Sequence, residues 1–158
     1  MQQSVIAGLL FVAAAAAHAK TAAPVSVKDA WVRATVPSQK ATGAFMQLTS
    51  PTGTRLIEAR SSAAGIVEIH EMAMVDNVMK MRAIPGLDLP PGQTVELKQG
   101  GYHVMLIDLK SQVREGQTVP ITLVFEGKDK KRQTVDVKAM ARPITTPAKA
   151  DEMKMKMN

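Results

Sequence analysis

The sequence predicts a single all-β domain, either a β-sandwich or a Greek-key barrel. The chain of 158 residues has the length of one domain that can bury a hydrophobic core. After Pro24 it consists of short apolar segments, and turn-forming residues such as 51–53 (PTG), 90–92 (PPG) and 100–101 (GG) separate them. Many short segments at this spacing, with turn chemistry between them, are typical of all-β sandwiches and barrels.

The predicted strands follow one another without an intervening helical pattern. In chain order they are residues 26–36, 44–50, 54–62, 66–72, 77–84, 93–99, 102–109, 118–126 and 133–140. The tetrapeptide GQTV occurs at residues 92–95 and again at 116–119. We interpret it as repeated turn-to-strand chemistry and not as a solenoid repeat.

Both ends of the chain differ in composition from the predicted domain. Residues 1–19 contain the apolar run 5–17 followed by Ala17-His18-Ala19, which has the small-x-small form of a signal-peptidase site. The run is shorter than the about 20 residues of a transmembrane helix, so we expect a secretory signal peptide cleaved after Ala19, in preference to a buried N-terminal helix. The folded domain then occupies residues 20–143. Residues 144–158 are rich in Met and Lys and predict a disordered C-terminal tail.

Composition excludes several classes of protein. The sequence contains no cysteine, which excludes dithiol oxidoreductases, cysteine nucleophiles, thiolate metal sites and a cysteine-linked lipid anchor. The formal net charge is +6, but aromatic residues make up only 3% of the chain and the basic residues are dispersed. Because single-stranded nucleic acid needs a stacking platform between the charges, we predict no nucleic-acid partner.

Histidine and methionine occur together in two predicted strands. The predicted mature chain contains only two histidines, His70 and His103. Alternation along a strand places His103 and Met105 on one face, and it places His70 on the charged face and not on the core face. Thioether sulfur is soft and uncharged and therefore favours Cu(I) over Zn²⁺, Mg²⁺ or Ca²⁺. The pattern thus predicts a Cu(I) site, the alternative being a chance clustering of core methionines near exposed histidines.

The spacing of His70, Met81, His103 and Met105 is H-x10-M-x21-H-x-M. This spacing, together with segments 29–50 and 84–92, resembles the periplasmic copper chaperones that serve the CuA centre, the PCuAC family. The resemblance covers roughly residues 25–140. It implies a cupredoxin-like Greek-key β-sandwich in the periplasm, with those four residues as Cu(I) ligands. It also implies delivery of copper to subunit II of cytochrome c oxidase, directly or through a Sco-type thiol protein.

Other methionines receive lesser roles in this interpretation. By its position in the family pattern, Met72 is an accessory ligand candidate. In the tail, Met153, Met155 and Met157 are candidates for a flexible Cu(I)-binding segment, the alternative being a plain solvated tail. Met74 and Met79 are interpreted as exposed apolar residues in preference to a landing surface for copper. We expect Trp31 and Met46 to pack in the core.

Two alternatives to a chaperone remain at this point. A periplasmic copper buffer would use the same ligands for storage. A zinc hydrolase would need both histidines and a carboxylate such as Glu71, whose side chain should point away from His70. A blue-copper electron carrier is excluded because its site requires a cysteine thiolate. The sequence makes no prediction of the oligomeric state.

Overall fold

The computed structural model describes residues 24–143. The predicted signal peptide, the predicted tail and the tail methionines Met153, Met155 and Met157 lie outside the described residues. The strands are β1 Ser26–Arg33, β2 Ala41–Thr49, β3 Thr54–Arg60, β4 Ala64–Val75, β5 Val78–Ala83, β6 Leu87–Leu89, β7 Thr94–Leu97, β8 His103–Leu109, β9 Thr118–Glu126 and β10 Arg132–Arg142. Within the described range every regular element is a strand, which confirms the all-β prediction, and no helix there is long and apolar enough to cross a membrane.

The observed strands differ from the predicted ones at several boundaries; for example, β1 ends at Arg33 and not at residue 36, and β4 extends over Ala64–Val75 and not 66–72. Strand β2 begins at Ala41, within the predicted loop, because Thr42 is buried and its hydroxyl donates a hydrogen bond of 2.7 Å to the Arg33 carbonyl on β1. Strand β6 was not predicted, because three residues between Gly86 and Pro90 are too few to show a periodic pattern.

All strands belong to one continuous system of hydrogen-bonded pairs. Their order is β5-β4-β8-β2-β1-β10-β9-β3-β6, and β7 pairs with β2 outside this path. Strand β2 changes partner along its length, since its first half pairs with β8 and its second half with β7. The first and last strands lie side by side in parallel. This arrangement brings β5, β4, β8, β2 and β1 into consecutive positions, and the candidate site lies on those strands.

The core is formed by alternate apolar residues of nearly every strand. Val104 and Leu106 from β8 and Leu48 from β2 are completely buried. Met46 is also buried, as predicted. Because these residues face the core, their neighbours in sequence on β8 and β2 face the other side of the sheet.

Turn chemistry fixes the strand boundaries. The two GQTV segments behave alike, since Gly92 (φ 72°) and Gly116 (φ 78°) each adopt a positive φ two residues before a strand begins. Asp76 and Asn77 have φ of 52° and 59° and form the two-residue connection between β4 and β5. Positive φ at both central residues is the geometry of a type I′ hairpin, whose twist matches that of the strands.

We predict that Phe125→Ala lowers the free energy of unfolding by about 3–5 kcal/mol, since this fully buried ring would leave a cavity. Urea denaturation at neutral pH measures the change. Met140→Leu is the control, because Met140 is exposed on β10 and its replacement should change stability by less than about 0.5 kcal/mol. A loss below about 1 kcal/mol for Phe125→Ala would contradict the description of the core.

Candidate metal centre

Strands β4 and β8 place the two histidines directly opposite each other. They are antiparallel and pair His70 with His103, whose ring centroids lie 5.7 Å apart. The adjacent residues Ile69 and Val104 face the core. Both histidines therefore lie on the face away from the core, as predicted for His70. They are not open to solvent, however, because only 7% of His70 and 6% of His103 is exposed. This burial disagrees with the alternative of a chance clustering of methionines near exposed histidines.

Hydrogen bonding fixes the tautomer of His103. Its Nδ1 lies 3.0 Å from the Gly101 carbonyl oxygen, which can only accept, so Nδ1 carries the proton. In the neutral ring Nε2 then presents its lone pair, and it lies 3.1 Å from the Met81 sulfur. Burial lowers the pKa of His103, and the nearby His70 lowers this pKa further, against the opposing effect of the Gly101 hydrogen bond. The protein thus favours a neutral imidazole with an available lone pair next to a thioether.

His70 is oriented by a carboxylate. Its Nε2 lies 2.7 Å from Oε2 of Glu68, and because an ionised carboxylate only accepts, Nε2 donates. Its Nδ1 is buried and has no hydrogen-bond partner. A buried nitrogen without a partner costs free energy unless something else binds it. In the neutral ring this nitrogen has the free lone pair, as a metal ligand requires.

The predicted methionine ligands occupy two different strands. Met81 lies on β5 opposite Met72 of β4, and 49% of Met81 is exposed. Met105 is half-buried on β8, where it lies opposite Glu68 on one side and Gly43 on the other. Directly opposite residues point to the same face of a sheet. The structure therefore places all four predicted ligands and Met72 on one face. Direct contacts join His70 to His103 and His103 to Met81, while strand register alone positions Met105.

Two aromatic residues next to the site were not identified from the sequence. The rings of Trp31 and Phe45 lie 4.5 Å apart, and the Phe45 ring lies 6.3 Å from that of His103. The prediction that Trp31 packs in the core is wrong, since Val32 takes the core position and Trp31 lies half-buried on the opposite face beneath the Arg142 guanidinium. Trp31, Phe45, His103 and His70 thus form a row of rings across β1, β2, β8 and β4. Strand alternation could have predicted this placement from the sequence, because the consecutive residues Trp31 and Val32 must face opposite sides of β1.

Gly43 allows the Phe45 ring to take this position. A Cβ atom at residue 43 would lie 2.8 Å from the tip of the Phe45 ring, which is too close for real carbon atoms. The ring therefore lies over the backbone of Gly43, beside Met105 on the neighbouring strand. A small residue is required here for packing at the site and not for an unusual φ.

The donor set disfavours a zinc hydrolase. Glu71 forms an ion pair with Arg82 on the opposite face of the β4–β5 pair from His70. Over residues 24–143 no group of three or more His, Asp or Glu residues is placed to hold a metal ion. What remains is two imidazole nitrogens with nearby thioethers, a soft and uncharged set that suits Cu(I) better than Zn²⁺.

Comparison with known proteins gives both a family and a fold. The family model described as "Putative lipoprotein LpqE-like" matches residues 25–139. The protein "Putative lipoprotein Lxx21020" of Leifsonia xyli subsp. xyli (strain CTCB07) is 33% identical over 114 residues, which cover 72% of this chain and 69% of that protein.

Solved structures give the same architecture. The solution structure of CuI-DR1885 from Deinococcus radiodurans is 32% identical, covers 78% of this chain and 81% of that chain, and superposes with a TM-score of 0.58. The apo PmoF2 PCuAC domain is 23% identical, covers 79% of this chain and 94% of that chain, and superposes with a TM-score of 0.62. These similarities confirm the predicted cupredoxin-like β-sandwich. The chain therefore belongs to the LpqE-like family and has the fold of PCuAC domains.

Proposed function

We propose that this protein is a copper chaperone that binds one Cu(I) ion through His70, Met81, His103 and Met105. The observation that carries the proposal is the approach of two unprotonated donors, Nε2 of His103 and the Met81 sulfur, to 3.1 Å. The unpartnered Nδ1 of His70 lies on the adjacent ring. The relative DR1885, which has been solved as a CuI form, supports the same ion.

The tautomers identify the coordinating atoms. His103 binds through Nε2 because its Nδ1 donates to Gly101, and His70 binds through Nδ1 because its Nε2 donates to Glu68. Four uncharged ligands leave the complex at +1, which a half-buried site tolerates better than a divalent ion. Glu68 is a positioning residue in this account and not a ligand.

Release of the ion would begin at Met81. The histidines are buried, whereas Met81 lies half-exposed on β5, the strand at one end of the sheet path. An incoming thiolate or imidazole can therefore replace the Met81 thioether first and the histidines afterwards. This accessible ligand favours delivery over storage in a copper buffer.

The acceptor we propose is the CuA centre of cytochrome c oxidase subunit II, reached directly or through a Sco-type thiol protein. The setting we propose is the periplasm, after cleavage of the signal peptide following Ala19. A cysteine-free copper site suits an oxidising compartment, where thiolate ligands would be lost to disulfides. Transfer from the loaded protein to each purified acceptor distinguishes delivery from storage, since a buffer would retain its copper.

We predict that residues 20–158 compete for one equivalent of Cu(I) against a chromogenic chelator under anaerobic conditions. The double variant His70→Ala/Met81→Leu should weaken binding by more than about 100-fold, beyond the cost of losing a residue that merely supports a ligand. Met140→Leu, which alters an exposed methionine elsewhere, should compete like the natural sequence. Equal competition by all three proteins would refute the proposed site.

Glu68→Ala should weaken Cu(I) binding by about 10-fold or more, because His70 loses the carboxylate that holds its ring and tautomer. Glu71→Ala is the matched control, since Glu71 lies three residues away on the same strand but on the other face, paired with Arg82. Chelator competition measures both variants. If the two substitutions have equal effects, Glu68 has no positioning role.

A further inference from the structure

We propose that the β4–β5 hairpin carries a second, weaker Cu(I) site, formed by Met74 and Met79. The inference rests on the Cu(I) function proposed above, because the ion bound here would be the same cargo. It assigns a role to two methionines that lie outside the ligand spacing described for the sequence.

Strand register brings these methionines together. On the two strands of the hairpin, Met72 lies opposite Met81 and Met74 lies opposite Met79. Opposed residues point to the same face with Cβ atoms about 4.5–5.5 Å apart, and alternate residues along a strand share that face. The two methionine pairs therefore follow one another on the face that carries His70. The second pair lies about 7 Å further from the histidines, two residues along the strand.

Exposure separates the second pair from the core. Met74 is 63% exposed and Met79 is 46% exposed, so packing does not account for either side chain. Of the eight large hydrophobic residues that are exposed in the described range, four lie within residues 74–81 around the turn of this hairpin: Met74, Val78, Met79 and Met81. Exposed apolar side chains at the edge of a sheet risk aggregation, and large apolar patches commonly mark a site of interaction.

The hairpin holds this arrangement in a defined register. The type I′ connection at Asp76 and Asn77 fixes which residues oppose each other, and a slip of one residue would turn the methionines to the other face. The cationic side chains of Lys80 and Arg82 belong to the opposite face, where Arg82 is paired with Glu71. A copper ion bound at the methionine pairs therefore lies on the other face of the hairpin from these two positive charges.

The chemistry selects the ion and its relative affinity. Two thioethers are soft, uncharged donors that suit Cu(I) and do not suit Zn²⁺ or Ca²⁺. Without an imidazole, this pair should bind more weakly than the histidine-containing centre. Met81 belongs to the histidine-containing centre and Met72 lies opposite it, so an ion at the outer pair can reach the centre by successive exchange of thioether ligands.

The test follows methionine methyl groups by NMR while residues 20–158 are titrated with Ag(I), a redox-inert soft monovalent ion. Met153, Met155 and Met157 are replaced by leucine to remove tail ligands. The methyl signals of Met81 and Met105 should shift with the first equivalent, and those of Met74 and Met79 with the second. The Met140 signal should stay unchanged, since this exposed methionine lies alone on β10.

Two variants separate the hairpin site from the centre. Met74→Leu/Met79→Leu should lose the second step and keep the first, whereas His70→Ala/Met81→Leu should lose the first step and keep the shifts of Met74 and Met79. If the Met81 and Met105 signals do not shift but those of Met74 and Met79 do, the proposed function is refuted and the hairpin site is retained. Met74 and Met79 signals that stay unchanged through three equivalents, or move no more than Met140, would overturn the hairpin site.

Discussion

The pairing of His70 on β4 with His103 on β8 is the contact on which the rest of the site depends. Because directly opposed residues share a face, this register places Met105 opposite Glu68 beside the two rings, and the β4–β5 register adds Met81 on the same face. A shift of one residue between these strands would turn His70 into the core and Ile69 outward. The buried Ile69 and Val104 oppose such a shift, so the hydrophobic core maintains the position of the polar site.

The surroundings of the two rings determine which atoms are available. Glu68 and Gly101 each accept a hydrogen bond from one imidazole N–H, so in the neutral ring the other nitrogen of each histidine has its lone pair free. The Phe45 ring, accommodated by Gly43, lies beside His103, and burial lowers the pKa of that histidine. Burial favours the neutral form of His103, and the imidazole nitrogens with nearby thioethers explain how a site without cysteine can be suited to a soft monovalent ion. Met81 remains half-exposed and provides the route of exchange.

The sequence predicted the all-β class, the family fold and the shared face of His103 and Met105, because strand alternation and turn residues are local signals. It did not predict the positions of Trp31 and Phe45 next to the histidines, since these depend on which strands become neighbours. The role of Glu68 was missed for a related reason. Alternation placed it on the face of His70, but only the folded side chains reveal its hydrogen bond. The exposure of Met74 and Met79, by contrast, was expected from the sequence, and it agrees with the position of β5 at one end of the sheet path.

The most direct test of the central claim is X-ray absorption spectroscopy of the protein loaded with one equivalent of Cu(I). Coordination by the four proposed ligands predicts a first coordination shell with two nitrogen and two sulfur scatterers, from which Met81→Leu and Met105→Leu each remove one sulfur. Met140→Leu should leave the spectrum unchanged. A shell of nitrogen and oxygen alone, or sulfur scattering that neither ligand substitution reduces, would contradict the assignment of these four residues as the copper ligands.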